Sequence, residues 1–280
     1  VLRVLITNDD GIESEGLYAL VRAFASTYEV SVLAPSDDRS ASSAALTVRR
    51  DLEARSAVPL VRLGAVAAYH LDATPATCVV LAARGALVAR PDLVVSGVNP
   101  GPNLGSDTYL SGTVGAARVA ATLGIPGVAV SCRRDPAGPP WDTAAGLALR
   151  AADLLRDESG GPGATDRSPL VNINVPSASP GAVRATTVAR SHVIEPAVVK
   201  HVPEQGEPGR LLRLELRIQT PPSLEPGTDA FAFFSGDVSV SVLSHAGSRP
   251  APPAGRDGLD LAKALARHLG GEALQPRGLR

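Results

Sequence analysis

The first 35 residues constrain the fold most. VLRVLIT is a short, β-rich apolar run, and SEGLYALVRAFASTY places Leu17, Leu20, Val21 and Phe24 at helical spacing. EVSVLAP is a second apolar run, stopped by Pro35. Strand, helix and strand within this length make a βαβ unit.

The alternation continues down the chain. AVAAYHL reads as a strand, and TPATCVVLAARGAL as a helix with Thr74 as cap and Pro75 in its first turn. PDLVVSGVN is a buried strand running into the loop PGPNLGSD. SGTVGAARVAATLG is a helix opened by a small hydroxyl residue and closed by Gly124. IPGVAVSC, WDTAAGLALRAADLLRD and LVNINVP supply a strand, a helix and a strand, with the turn-rich GGPGATDRS between the last two. This order predicts an α/β fold with a mostly parallel sheet covered on both faces. After about residue 180 the texture changes. AVRATTVAR, GRLLRLELRIQT and GDVSVSVLS alternate like strands between Pro- and Gly-rich loops, and LDLAKALARHL closes as a helix. The expected division is a core over residues 1–180 and a β-rich extension over 181–280.

Composition narrows the function classes. The chain carries 27 basic and 28 acidic residues, which leaves no basic surface for a nucleic-acid duplex and no polybasic segment for a membrane. No run approaches the roughly 20 apolar residues of a membrane span. Cys78 and Cys132 lie far apart in apolar contexts and read as buried free thiols. A reducing, cytoplasmic setting is expected, with no signal peptide at the start.

In open α/β sheets, ligands bind at the carboxyl ends of the strands, and the polar residues of this chain collect there. The first strand ends in Asn8-Asp9-Asp10-Gly11, the second leads into Asp37-Asp38-Arg39-Ser40, and DLVVSGVN ends in Ser96-Gly97-Val98-Asn99. Asp9 and Asp10 repel one another. A hard divalent cation would remove that repulsion, with Asn or Ser adding neutral oxygens. The alternative is that the pair caps the following helix. Ser111, Gly112 and Thr113 open a helix whose free N–H groups would suit a phosphate, or form an ordinary N-cap. Asp107 lies just upstream, as support for the site or as a solvated loop carboxylate. The histidines His70, His192, His201, His245 and His268 are scattered, and no G-x-S-x-G elbow is present.

TNDDGI, VLAPSDDRSAS, PDLVVSGVNPGPNLG and SGTVGAA, in this order, resemble the SurE survival-protein family of nucleotide phosphatases. ATPATCV, LVNINVP and GTDAFAFFSGDVSVSVL extend the similarity to about residue 244. The resemblance implies a Rossmann-like three-layer core. It implies one divalent cation per subunit, Mg²⁺ or Mn²⁺, held by Asp9, Asp10, Ser40 and Asn99. It implies phosphate release from nucleoside 5′- and 3′-monophosphates, in some members also from polyphosphate. A homodimer or homotetramer that exchanges its C-terminal extension is implied too. The sequence departs from the family pattern at Ala44-Ala45, Ala73, Thr77 and Leu110.

On this reading Asp9, Asp10 and Asn99 carry the chemistry. Ser111, Gly112 and Thr113 steady the phosphate, and Asn8 and Asn103 join them in binding the substrate, with Asn103 shaping the loop around it. Two rivals stand beside it: a metal-using nucleotide-sugar transferase, and a non-catalytic nucleotide-binding regulator on the same fold. A haloacid-dehalogenase-type phosphatase is disfavoured, because no D-x-D ends the first strand.

Overall fold

The computed structural model describes residues 1–135, 137–158, 168–190, 194–203, 210–218, 223–244 and 258–270. Most of the GGPGATDRS loop, together with His192 and His245, lies outside the described residues.

The elements follow the predicted alternation: β1 (Arg3–Thr7), α1 (Glu15–Phe24), β2 (Glu29–Pro35), β3 (Ala54–Ser56), α2 (Val58–Arg62), β4 (Ala67–Leu71), α3 (Pro75–Ala83) and β5 (Leu93–Pro100). Then come α4 (Gly112–Thr122), β6 (Gly127–Cys132), α5 (Trp141–Glu158), β7 (Leu170–Val175) and β8 (Val183–Ala185). β9 (Ile194–Pro203), β10 (Arg210–Ile218), α6 (Asp229–Phe234), β11 (Val238–Leu243) and α7 (Gly258–Gly270) complete the series. A short 3-10 turn, Gly105–Tyr109, precedes α4.

Nine strands form one sheet in the order β3-β4-β2-β1-β5-β6-β7-β11-β8. The run β4-β2-β1-β5-β6-β7 is parallel, as βαβ connections require. β3 and β11 join antiparallel to their neighbours β4 and β7. The chain winds outward from β1 to β2 on one side and from β5 to β6 on the other. The direction therefore reverses between β1 and β5, and a crevice opens at their carboxyl ends.

Each helix forms for a legible reason. Ser14 caps α1 by accepting from the Leu17 amide, and Leu17, Leu20, Val21 and Phe24 are the face it buries. Burying a side chain of that size contributes about 1.5–3 kcal/mol. The α1 face packs with α5 and α7 residues such as Leu147, Ala151 and Leu265 against one side of the sheet. α3 and α4 cover the other side through Val79, Ala82, Ala116 and Ala120. Thr74 caps α3 with Pro75 in its first turn, as the sequence predicts. The result is a three-layer α/β fold.

Residues beyond 180 enter this sheet twice, as β8 and β11, while β9 and β10 pair only with each other among the described residues. The sequence reading did not separate β9, because Pro196 and Pro203 break the usual strand signal. Within AVRATTVAR only Val183–Ala185 is a strand. β3 and α6 were likewise not anticipated: both are short, and the periodicity of three to six residues carries little signal.

Candidate active site

At the carboxyl ends of β1 and β5 the Asn8-Asp9-Asp10 turn and the Ser96–Asn99 strand end lie side by side. Thr7 of β1 lies opposite Ser96 of β5, so Asn8-Asp9-Asp10 leaves β1 beside the Ser96–Asn99 end of β5. Gly11, at φ +96°, turns the chain away at once; a Cβ there would come within 3.1 Å of the Asp37 backbone. The loop after β2 is tied in by the Arg39 amide, which donates to the Asp9 carbonyl at 2.6 Å.

Asp9 is 4% exposed and does not cap the helix that follows; Ser14 does. Instead its carboxylate reaches the start of α4. Oδ2 accepts from the Thr113 amide at 3.1 Å, and Oδ1 accepts from the Thr113 hydroxyl. Gly112 permits this approach, since a Cβ there would lie 2.7 Å from Asp9 Oδ2 and 2.6 Å from Ser42 Oγ. Ser111 caps α4 by accepting from the Val114 amide at 3.1 Å. The helix start read as a phosphate cradle therefore already faces a carboxylate, and Thr113 has both donors on Asp9.

Asp10 is half-buried, and its Oδ2 has no hydrogen-bond partner. Burial, then the neighbouring charges of Asp9 and Asp38, push its carboxyl from 3.8 to about 7, against the opposing charge of Arg134. Burial also raises the Asp9 carboxyl, partly offset by its bonds to Thr113. Asn8 is fully buried; its Nδ2 donates to the Gly11 carbonyl at 2.9 Å and to Ser14 Oγ at 3.0 Å, while Oδ1 is unpartnered. Asn99 donates from Nδ2 to the Gly101 carbonyl at 2.6 Å, which leaves its Oδ1 for other use. Ser40 is exposed, and both its amide and its hydroxyl donate to Asp38 Oδ1, at 2.8 Å and 2.6 Å.

The chemistry of these groups can be tested against a divalent cation. Of the eight buried side-chain atoms without a partner among the described residues, six belong to Thr7, Asn8, Asp10, Arg39, Ser42 and Ser96, in or beside this crevice. Five of those six are oxygens. Buried oxygens without donors are costly, and two adjacent carboxylates are costlier still. A hard cation at Asp10 Oδ2 would give that oxygen a partner and relieve the repulsion between the two carboxylates, so the Asp9–Asp10 pair fits one. No group of three or more His, Cys, Asp or Glu suited to a metal occurs among the described residues. Neutral oxygens would have to complete the set beyond Asp9 and Asp10.

Asn103 and Asp107 lie on either side of Leu104 in the loop after β5, and both are buried. Asp107 is 3% exposed, so the solvated-carboxylate reading does not hold. Asn103 is held on three sides. Its amide donates to Asn174 Oδ1 at 2.7 Å, its Nδ2 donates to Ser131 Oγ at 2.8 Å, and its carbonyl accepts from Asn172 and Asn174. Asp229 at the start of α6 accepts from the amides of Gly105, Ala189 and Ala230. Sequence reasoning did not assign roles to Asn172, Asn174, Ser131 or Asp229. The signal for the first two was present: two Asn at i and i+2 in a buried strand share one face.

The fold agrees with what comparisons with known proteins find. Residues 4–195 match the family model for Survival protein SurE. The 5′-nucleotidase SurE 1 of Thermus thermophilus is 38% identical over 244 residues, 87% of this chain and 92% of its own. The 5′-nucleotidase SurE of Deinococcus radiodurans is 41% identical over 202 residues, 72% of this chain and 73% of its own. The crystal structure of the SurE protein from Aquifex aeolicus superposes with a TM-score of 0.69 at 29% identity, covering 86% of this chain and 92% of that one.

Proposed function

The chain belongs to the SurE family, and from that premise we propose that it is a metal-dependent phosphatase releasing phosphate from nucleoside 5′- and 3′-monophosphates, with polyphosphate as a further substrate. The broader statement, that it is a phosphoric monoester hydrolase of the nucleotidase kind, rests on relatives named 5′-nucleotidase across most of their length. The observation that carries the metal dependence is the Asp9–Asp10 pair, with its orphaned Asp10 oxygen and raised carboxyls.

Asp9, Asp10, Ser40 and Asn99 would hold a hard divalent cation, Mg²⁺ or Mn²⁺, which supplies Lewis acidity toward a phosphoryl oxygen. Asp9 keeps lone pairs free for this while bound to Thr113, because a carboxylate offers about four acceptor sites. Thr113 thereby fixes the Asp9 plane and contributes to the phosphate only indirectly. Ser111 and Gly112 open α4, where the missing Cβ of Gly112 admits the Asp9 carboxylate, and the phosphate would bind beside that carboxylate. Asn8 holds the turn through its Nδ2, and Asn103 holds the floor of the loop after Asn99. Asp107, buried in the 3-10 turn, supports that loop from behind.

The extension over 181–280, above all the β9–β10 hairpin, would carry assembly into a homodimer or homotetramer. The two buried free cysteines suit a cytoplasmic setting, and no helix among the described residues is long and apolar enough to cross a membrane.

The test is phosphate release from a panel of 5′- and 3′-nucleoside monophosphates with Mg²⁺, with Mn²⁺ and with a chelator. Release that stops on chelation is expected. Release that persists after full chelation rejects the metal dependence. No release from folded protein with either metal favours a nucleotide-binding regulator.

A further inference from the structure

Three arginines stand near the crevice, and their commitments differ. Arg39 is ion-paired to Asp72, which also engages Arg50. Arg133 donates from Nε to the Pro176 carbonyl at 3.0 Å and lays its guanidinium 4.9 Å over the Phe233 ring. Arg134 is exposed and pairs with no carboxylate among the described residues. The neighbouring Asp135 turns one oxygen to the Ala137 amide at 2.9 Å.

The fold places Arg134 beside the crevice. β6 runs parallel to β5 with Cys132 opposite Pro100 and Ser131 opposite Asn99, so Arg134 leaves β6 beside the loop that follows Asn99. Its Nε donates to the Pro100 carbonyl at 3.3 Å. That contact fixes the stem of the guanidinium and leaves both terminal nitrogens without a partner among the described residues. Its charge acts on Asp10, opposing Asp9 and Asp38. A guanidinium held by one edge, with its other edge open beside a site for phosphate, offers the fork that binds two phosphoryl oxygens at once.

We propose that Arg134 is a substrate-positioning residue that grips the phosphoryl group of the bound nucleotide from the β6 side of the crevice. It supplies a positive charge that neither the head of α4 nor the ion-paired Arg39 offers. The inference rests on the reading of the site as a phosphatase centre. It goes beyond that reading in naming a group that holds substrate rather than cation. A charged fork makes its contacts to the phosphate in the ground state and in the transition state alike, so its loss should weaken binding more than turnover.

The experiment compares wild type, Arg134→Gln and Arg134→Lys with AMP as substrate and inorganic phosphate as competing product. Circular dichroism establishes that each is folded. For Arg134→Gln, KM for AMP and Ki for phosphate should both rise, by about ten- to a hundredfold, with kcat changing far less. Arg134→Lys keeps the charge without the fork and should fall between. Unchanged KM and Ki in Arg134→Gln overturn the proposal, and so does a loss confined to kcat. If wild type releases no phosphate from AMP, the functional reading falls on its own. Equilibrium dialysis of inorganic phosphate then decides the role of Arg134, and equal retention by wild type and Arg134→Gln overturns it.

Discussion

Asp10 shows what a single position costs and what it supplies. Its carboxyl has an ordinary value of 3.8 and is pushed to about 7 in the folded chain, first by burial and then by Asp9 and Asp38. Between those pH values the folded protein keeps a proton that the unfolded chain has released. Stability of the metal-free protein must therefore fall as pH rises from about 4 to about 7, and level off above. The full difference amounts to about 4 kcal/mol. Thermal unfolding in chelator across this range should show the decline in wild type and a flatter profile in Asp10→Asn. Parallel profiles would show that Asp10 is not the source. The same variant should lose metal-dependent phosphate release while keeping its fold, because an amide cannot supply the second negative charge.

At the scale of an element, β7 is the clearest case. Its side chains alternate across the sheet, so Asn172 and Asn174 fall on one face and meet the loop after β5. Asn174 both accepts from the Asn103 amide and donates to the Asn103 carbonyl. Replacing it with Ala strands the buried Asn103 amide, at about 1–3 kcal/mol for a buried polar group left unsatisfied, while the Asn103 carbonyl keeps Asn172. Asn174→Ala should lower the denaturation midpoint without changing the slope of the transition. It should also reduce phosphate release, because the Asn99–Asn103 loop loses its floor. A variant as stable and as active as wild type would mean that Asn172 and Ser131 hold the loop unaided. Thr77, where the family pattern differs, has a comparable local duty: its hydroxyl accepts from the Thr47 amide at 2.8 Å and shares a hydrogen bond with Thr74.

Across the whole molecule, the nine-stranded sheet positions the crevice and the β9–β10 ladder stands outside it. A two-stranded ribbon is marginal on its own in water, and packing against another chain is one way to stabilise it. Sedimentation velocity should find two or four chains per particle, and deletion of residues 194–218 should shift the distribution to the monomer. A wild-type monomer at micromolar concentration would remove the assembly role from the hairpin. The dimer and tetramer are separated by the same measurement.

Local pattern determined the alternating elements, the caps at Ser111 and Thr74, and the loading of strand ends with oxygen ligands, because these depend on neighbours a few residues apart. The tertiary structure decided what no short window holds. The reversal of winding between β1 and β5 sets the end of β1, where Asn8-Asp9-Asp10 begins, opposite Ser96, some 90 residues on. The same packing turns Asp9 from its own helix to the head of α4, and sets Asn172 and Asn174 beneath Asn103. Strand order and close approach are fixed by the packing of distant side chains. A carboxylate that reads as a cap for the helix after it thus becomes a partner of a helix about 100 residues away.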